Sequence, residues 1–150
     1  MAATLVKVLI HVVFSTKKRV PFIDSSLSTD LYPYMAGIVR HQRATLLALG
    51  GMPDHVHALI RLKADLSLSD MVRALKAVSS KWVHEKPNPL PEFAWQEGYF
   101  AASVSPSREA SVRSYILNQE AHHRRTDFKD ELLELLRKHG VEFDPKYLFD

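Results

Sequence analysis

Apolar and polar residues alternate from the start of the chain. Over residues 4–14, Val6, Val8, Ile10, Val12 and Phe14 share one side, and Leu5, Lys7, Leu9, His11 and Val13 share the other, the two-residue period of a strand. The period then lengthens. Leu27, Leu31, Tyr34 and Ile38 recur at helical spacing, with Pro33 setting an expected helix start later than Leu27. "ATLLALG" and "HVHALIRL" read as two strands. The short turn "GMPD" between them calls for an antiparallel hairpin. Ser69 is placed to cap a helix running to about Glu85 with Val72, Leu75, Val78 and Trp82 buried. "WQEGYFAASVS" gives a fourth strand, bulged at Gly98. Two helices follow. One runs from Arg108 to about Arg124 behind a Ser107 cap, the other from Phe128 to about His139, ending at Gly140. The apolar tail residues Phe143, Tyr147, Leu148 and Phe149 are expected to pack.

The predicted order is β-α-β-β-α-β plus C-terminal helices. That is an α+β chain on the ferredoxin-like, split βαβ plan, with a four-stranded antiparallel sheet, two helices on one face, and the first and third strands central. Val56, Ala58, Ile60 and Leu62 make one side of the third strand wholly apolar and assign it to the core. His55, His57, Leu59 and Arg61 then point the other way, toward whatever the C-terminal helices or a second subunit bring.

Composition narrows the field. A chain of 150 residues, 46% hydrophobic and 25% charged, fits one soluble domain over residues 1–150. No apolar run is long enough to span a bilayer, so no membrane partner is expected. The absence of cysteine excludes disulfides, thiolate metal sites and a cysteine nucleophile, and it agrees with a cytoplasmic location. A net charge of +3, from 20 Lys and Arg against 17 Asp and Glu, is a mild pointer to a polyanion.

Two imidazoles at i and i+2 on a non-core strand face repel if both are charged, whereas a metal holds both neutral. Metallohydrolases also use a His-x-His strand, commonly with further Asp and His close behind, and "ALIRL" supplies none. On the next-to-last helix Tyr115 and Gln119 sit one turn apart, beside a buried stripe of Val112 and Ile116. Taken alone they also suit a flanking tyrosine and a solvated amide. His122 and His123 read as surface residues favoured by the helix dipole.

"PDHVHALI" followed by "YILNQ", with the intervening segments in order, resembles the single-tyrosine HUH transposases of the smallest bacterial insertion sequences and their relatives associated with repetitive extragenic palindromes (REP). "HVVFSTKKRVPFI", "LSDMVRALKAVSSKWV" and "FAWQEGYFAASVS" resemble the family's first strand and basic loop, its second helix and its fourth strand. The resemblance implies that His55, His57 and Gln119 bind a divalent metal, Mg²⁺ or Mn²⁺. It implies that Tyr115 is the nucleophile, leaving a 5′-phosphotyrosine and a free 3′-OH. It also implies single-stranded DNA with hairpin structure as substrate, and a homodimer. Lys17, Lys18, Arg19, Arg43, Lys76, Lys81 and Arg124 are the candidate phosphate contacts, and Trp95, Tyr99 and Phe100 the candidate stacking residues. Three other readings stand beside it: a domesticated REP-cutting relative, a non-catalytic nucleic-acid-binding domain on the same sheet, and a metal-dependent hydrolase that uses water.

Overall fold

The computed structural model describes residues 2–148. Its strands are β1 (Val8–Ser15), β2 (Thr45–Met52), β3 (His55–Leu62) and β4 (Phe100–Val104). They form one antiparallel sheet in the order β2-β3-β1-β4, so the first and third strands are central as predicted. β1 is shorter than the pattern suggested. Residues 4–7 lie exposed before it, with no partner strand opposite them.

Helices α1 (Ser25–His41) and α2 (Leu68–Glu85) cover one face. Beneath them lie Val12 and Phe14 of β1 and Val56, Ala58, Ile60 and Leu62 of β3, the side assigned to the core by alternation. The edges of both helices differ from expectation. α1 starts at Ser25, capped by Asp24 through the Leu27 N–H, and carries Pro33 inside it. An interior proline costs about 3 kcal/mol. Burying each of Leu27, Leu31, Met35, Ile38 and Val39 returns about 1.5–3 kcal/mol, so the stripe outweighs it. Pro33 and Thr29 are both exposed, which leaves the freed carbonyl to water. In α2 the cap is Ser67, whose Oγ accepts from the Asp70 N–H at 3.1 Å. The buried stripe there is Met71, Val72, Leu75, Ser79 and Val83, while Val78 is exposed. Trp82 is only partly buried, stacked on Tyr34 at 4.9 Å.

β4 begins at Phe100, so Gly98 lies before the strand, and the backbone of Trp95 forms only an isolated bridge to Thr16, just past β1, while its ring packs edge-on against Phe14. A 3₁₀ turn at Pro106–Arg108 leads to α3 (Glu109–Leu117) and α4 (Gln119–His122), then α5 (Phe128–Lys138) and α6 (Pro145–Leu148). The single helix expected from Arg108 to Arg124 is thus broken at Asn118 (φ −106°, ψ 28°), and Ser107 makes no capping bond. α5 ends as predicted at Gly140, whose φ of 63° suits a residue with no Cβ. α3 and α5 cover the second face. Ile116 packs on Leu9, Ala48 and Leu59, and Phe128, Leu132, Leu135 and Leu136 pack on Val13 and Phe100. Of the tail, only Leu148 joins this packing. Phe143 and Tyr147 are exposed, and Phe149 lies outside the described residues.

Candidate active site

Both histidines of β3 are wholly buried between the sheet and the C-terminal helices. Each has its two ring nitrogens in different company. His55 Nδ1 bonds Asp54 Oδ1 at 2.7 Å, and His57 Nδ1 bonds His11 Nε2 at 2.9 Å. Their Nε2 atoms face a common point, which Glu131 of α5 reaches. Glu131 Oε1 is 3.2 Å from His55 Nε2 and 3.0 Å from both His57 Nε2 and His123 Nε2. Gln119 Oε1 lies 3.2 Å from His55 Nε2 and 3.0 Å from His123 Nε2. The other Glu131 oxygen accepts the Tyr115 hydroxyl.

The electrostatics follow from burial and this crowding. Burial alone disfavours a charged His55, but the hydrogen bonds to Asp54 and Glu131 outweigh it and raise its pKa to about 9. Burial dominates at His57 and His11 and lowers them to about 4 and about 3, so that pair is neutral. Burial opposes ionisation of Glu131 too, yet hydrogen bonds from His123, His55 and His57 hold it well below the usual carboxylate range. Burial, then the neighbouring Glu131 carboxylate, pushes the Tyr115 phenol well above its ordinary value.

Two glycines set the spacing. A Cβ on Gly50 of β2 would lie 2.3 Å from the Ile116 carbonyl oxygen, so the glycine lets the α3 backbone rest directly on the sheet. Gly50→Ala must therefore lift α3, and with it Tyr115. The expected cost is about 1–3 kcal/mol, a fall of roughly 2–10 °C in thermal midpoint by calorimetry. An unchanged midpoint would show that α3 has slack there. At Gly51 a Cβ would lie 2.2 Å from the His55 carbonyl oxygen, which ties the hairpin "GGMPDH" to the position of His55.

Residues 4–119 match the family model described as "Transposase IS200 like". The chain belongs to the IS200-like transposase family. It is similar to the ISDra2 transposase TnpA of Deinococcus radiodurans, 25% identical over 114 residues that cover 73% of this chain and 81% of the relative. The crystal structure of a candidate transposase from D. radiodurans R1 superposes with a TM-score of 0.63 at 26% identity, covering 79% of this chain and 95% of that one. A REP-associated tyrosine transposase bound to a REP hairpin shares the fold, with a TM-score of 0.63 at 15% identity over 82% of this chain and 73% of that one.

Within this IS200-like chain, His55, His57, Tyr115 and Gln119 come together as the sequence expected, although the break at Asn118 separates Tyr115 and Gln119 into two helices. Gln119 is buried rather than solvated. His123 is not a surface residue: its side chain is 5% exposed and turned into the cluster. His122 Nε2 approaches Glu131 Oε2 at 3.4 Å. Glu131 and the pairing of His11 with His57 were missed. A signal for Glu131 does exist. It stands at helical spacing among Phe128, Leu132 and Leu135, a carboxylate inside an apolar stripe. Glu131 and His123 also lie beyond the residues that the family model matches.

The candidate DNA contacts fare differently. Lys17, Lys18 and Arg19 form an exposed 3₁₀ turn after β1, and Lys81 and Arg124 are exposed. Arg43 pairs with Asp65 at 3.4 Å. Lys76 Nζ donates to the carbonyls of Gln96, Glu97 and Gly98, a structural clamp on the segment before β4. Trp95 and Phe100 are core residues at 8% and 6% exposure, which removes them as stacking platforms, whereas Tyr99 stays half exposed.

Proposed function

We propose that the protein is a metal-dependent DNA transposase that cleaves and rejoins single-stranded DNA at hairpin-bearing ends through a 5′-phosphotyrosine intermediate. One observation carries this reading: Tyr115 is anchored on Glu131 beside a buried cluster in which His55, His57, His123 and Glu131 each offer a ligand atom, all within 4.8 Å of one another.

The donor set suits Mg²⁺ or Mn²⁺. It holds imidazole nitrogens, a carboxylate and the Gln119 amide oxygen, with no thiolate. Neighbouring donors stand 3.0–3.2 Å apart. Adjacent ligands at bond lengths near 2.1 Å in an octahedral array are about 3 Å apart. The second ring nitrogens of His55 and His57, held by Asp54 and His11, orient both rings as outer partners of metal ligands do. When bound, the ion supplies Lewis acidity to the scissile phosphate.

The chain's own residues do the rest. The Tyr115 oxygen gives up its proton and attacks phosphorus, the bond to the 3′-oxygen breaks, that oxygen takes up a proton to leave as a free 3′-OH, and the 5′-phosphate stays on the tyrosine. The phosphodiester energy is thereby kept for rejoining. Glu131 accepts the phenol's hydrogen bond and fixes that oxygen beside the cluster. The hairpin in the substrate is supported by the REP complex of the structurally similar transposase. The proposal includes a homodimer, which sedimentation would register as twice the chain mass of 17.1 kDa.

The test is incubation with labelled single-stranded hairpin DNA and Mn²⁺. A covalent protein–DNA adduct that chelation abolishes supports the reading. Cleavage by water without any adduct overturns it in favour of a hydrolase. Metal binding has its own readout. At about 100 times Kd a ligand stabilises by about 2.7 kcal/mol, so Mn²⁺ should raise the thermal midpoint by roughly 5–10 °C. His57→Ala should lose most of that rise while still binding hairpin DNA. An equal rise in wild type and variant would remove His57 from the ligands.

A further inference from the structure

Beside Tyr115 a cleft of about 380 Å³ opens between the end of β4, the start of α3 and the end of α5, with neither His55 nor His57 in its lining. His11 and Tyr115 form part of its lining, together with Arg108, Ser105 and Ser111 from the β4–α3 segment and Lys138 from the end of α5. We infer that this cleft binds the sugar–phosphate backbone of single-stranded DNA next to the scissile bond, with Arg108 and Lys138 holding the phosphates. The inference rests on the transposase reading for the identity of its ligand.

Charge is the first argument. Two cations from separate elements line the cleft, and no acidic side chain does. Among the described residues neither cation has a carboxylate within ion-pair distance. Of the nearby carboxylates, Glu109 pairs with Arg113 at 3.5 Å, and Glu134 pairs with Arg137 at 2.6 Å and feels Lys138 only through the longer-range field. A polyanion would supply closer partners, and the Ser105 hydroxyl, bonded to the Ser107 hydroxyl with either oxygen able to donate, can turn its O–H to a phosphate or sugar oxygen, whereas the Ser111 hydroxyl donates to the Arg108 carbonyl. Size is the second argument. The volume falls near the low end of the roughly 300–1,000 Å³ typical of small-ligand sites, enough for a nucleotide and too little for a duplex. Position is the third. The cleft reaches the phenol that would be joined to DNA, so a strand lying in it is held at the reacting phosphate. Neither Arg108 nor Lys138 was among the cations singled out from sequence, because their proximity exists only once α5 folds back along β4.

The probe is fluorescein-labelled dT12, followed by fluorescence anisotropy on the full chain in EDTA, so that no cleavage intervenes. The double variant Arg108→Ala/Lys138→Ala should bind about tenfold or more weakly. Its log–log salt slope should fall by about 1.4, since each phosphate neutralised on a single strand contributes roughly 0.7. Arg108→Lys/Lys138→Arg should retain most of the binding. Ser111→Asp, which places a carboxylate in the cleft at an exposed position, should weaken it as well. The control Arg40→Ala/Arg73→Ala removes two cations from α1 and α2 on the opposite face, and should change little. Equal losses from both double variants, or none from the cleft variants, overturn the inference, as does full displacement of dT12 by inorganic phosphate at matched ionic strength. The adduct assay separates the two proposals. Adduct formation with unaltered dT12 binding in the cleft variants rejects the cleft alone. Weakened dT12 binding in a protein that never forms an adduct rejects the transposase chemistry alone.

Discussion

Tyr115→Phe should abolish the covalent protein–DNA adduct and reduce strand cleavage by at least about a thousandfold, the scale on which loss of a covalent nucleophile acts. The substitution removes one oxygen and leaves the ring in place against His57 and His122. Glu131 loses one hydrogen bond but keeps its bonds to three imidazoles, so the thermal midpoint should move by only a few degrees. Hairpin binding should survive. That combination distinguishes a reacting phenol from a packing tyrosine: a structural role would lower stability and binding together. Undiminished cleavage by the Tyr115→Phe protein would transfer the chemistry to water and end the transferase reading.

Glu131→Ala should have the largest effect on stability. The carboxylate is 1% exposed, and without it the charged His55 keeps Asp54 as its one ionised partner and the Gln119 amide oxygen as a neutral one. Removing one member of a buried ion pair costs about 3–5 kcal/mol. For a chain of this size that is a fall of roughly 10 °C or more in the metal-free midpoint. The pH dependence has a definite sign. His55 has its pKa raised from 6.5 to about 9, so its contribution is complete below pH 6.5 and is lost as pH rises through 9. The gap between wild type and Glu131→Ala should therefore shrink between pH 7 and pH 9.5. His57 and His11, lowered to about 4 and about 3, act in the opposite direction: they withdraw stability as pH falls below 6.5. Calorimetry of both proteins across this range is the check, and a gap that widens toward pH 9.5 would mean that His55 is neutral in the folded chain.

What could be read from the sequence followed from local periodicity. Alternation in "HVHALIRL" separated a core side from a histidine side, and the strand order then placed both histidines mid-sheet. Tyr115 and Gln119 were found by resemblance, and their closeness in space agrees. The misreadings have physical causes. The start of α1 was misplaced because a proline penalty was weighed without the five buried residues that exceed it. The phase of α2 slipped by about one position because Trp82 and Val78 border the apolar stripe rather than form it. Glu131 stayed hidden because it acts across space. Its place inside the apolar stripe of α5 marks it for burial, but the stripe alone does not say that β3 and its histidines lie opposite. His123 was misjudged for the same reason, since a helix end counts as surface only until another helix closes over it.

The alternation along β3 also bears on how such a chain can change over generations. Val56, Ala58 and Ile60 touch only the α1–α2 side, while His55 and His57 touch only the α3–α5 side. A substitution on one side changes the packing against α1 and α2, and one on the other changes the buried polar cluster, with little direct contact between neighbouring codons. Drift in the core can proceed without revising the histidine cluster one residue away.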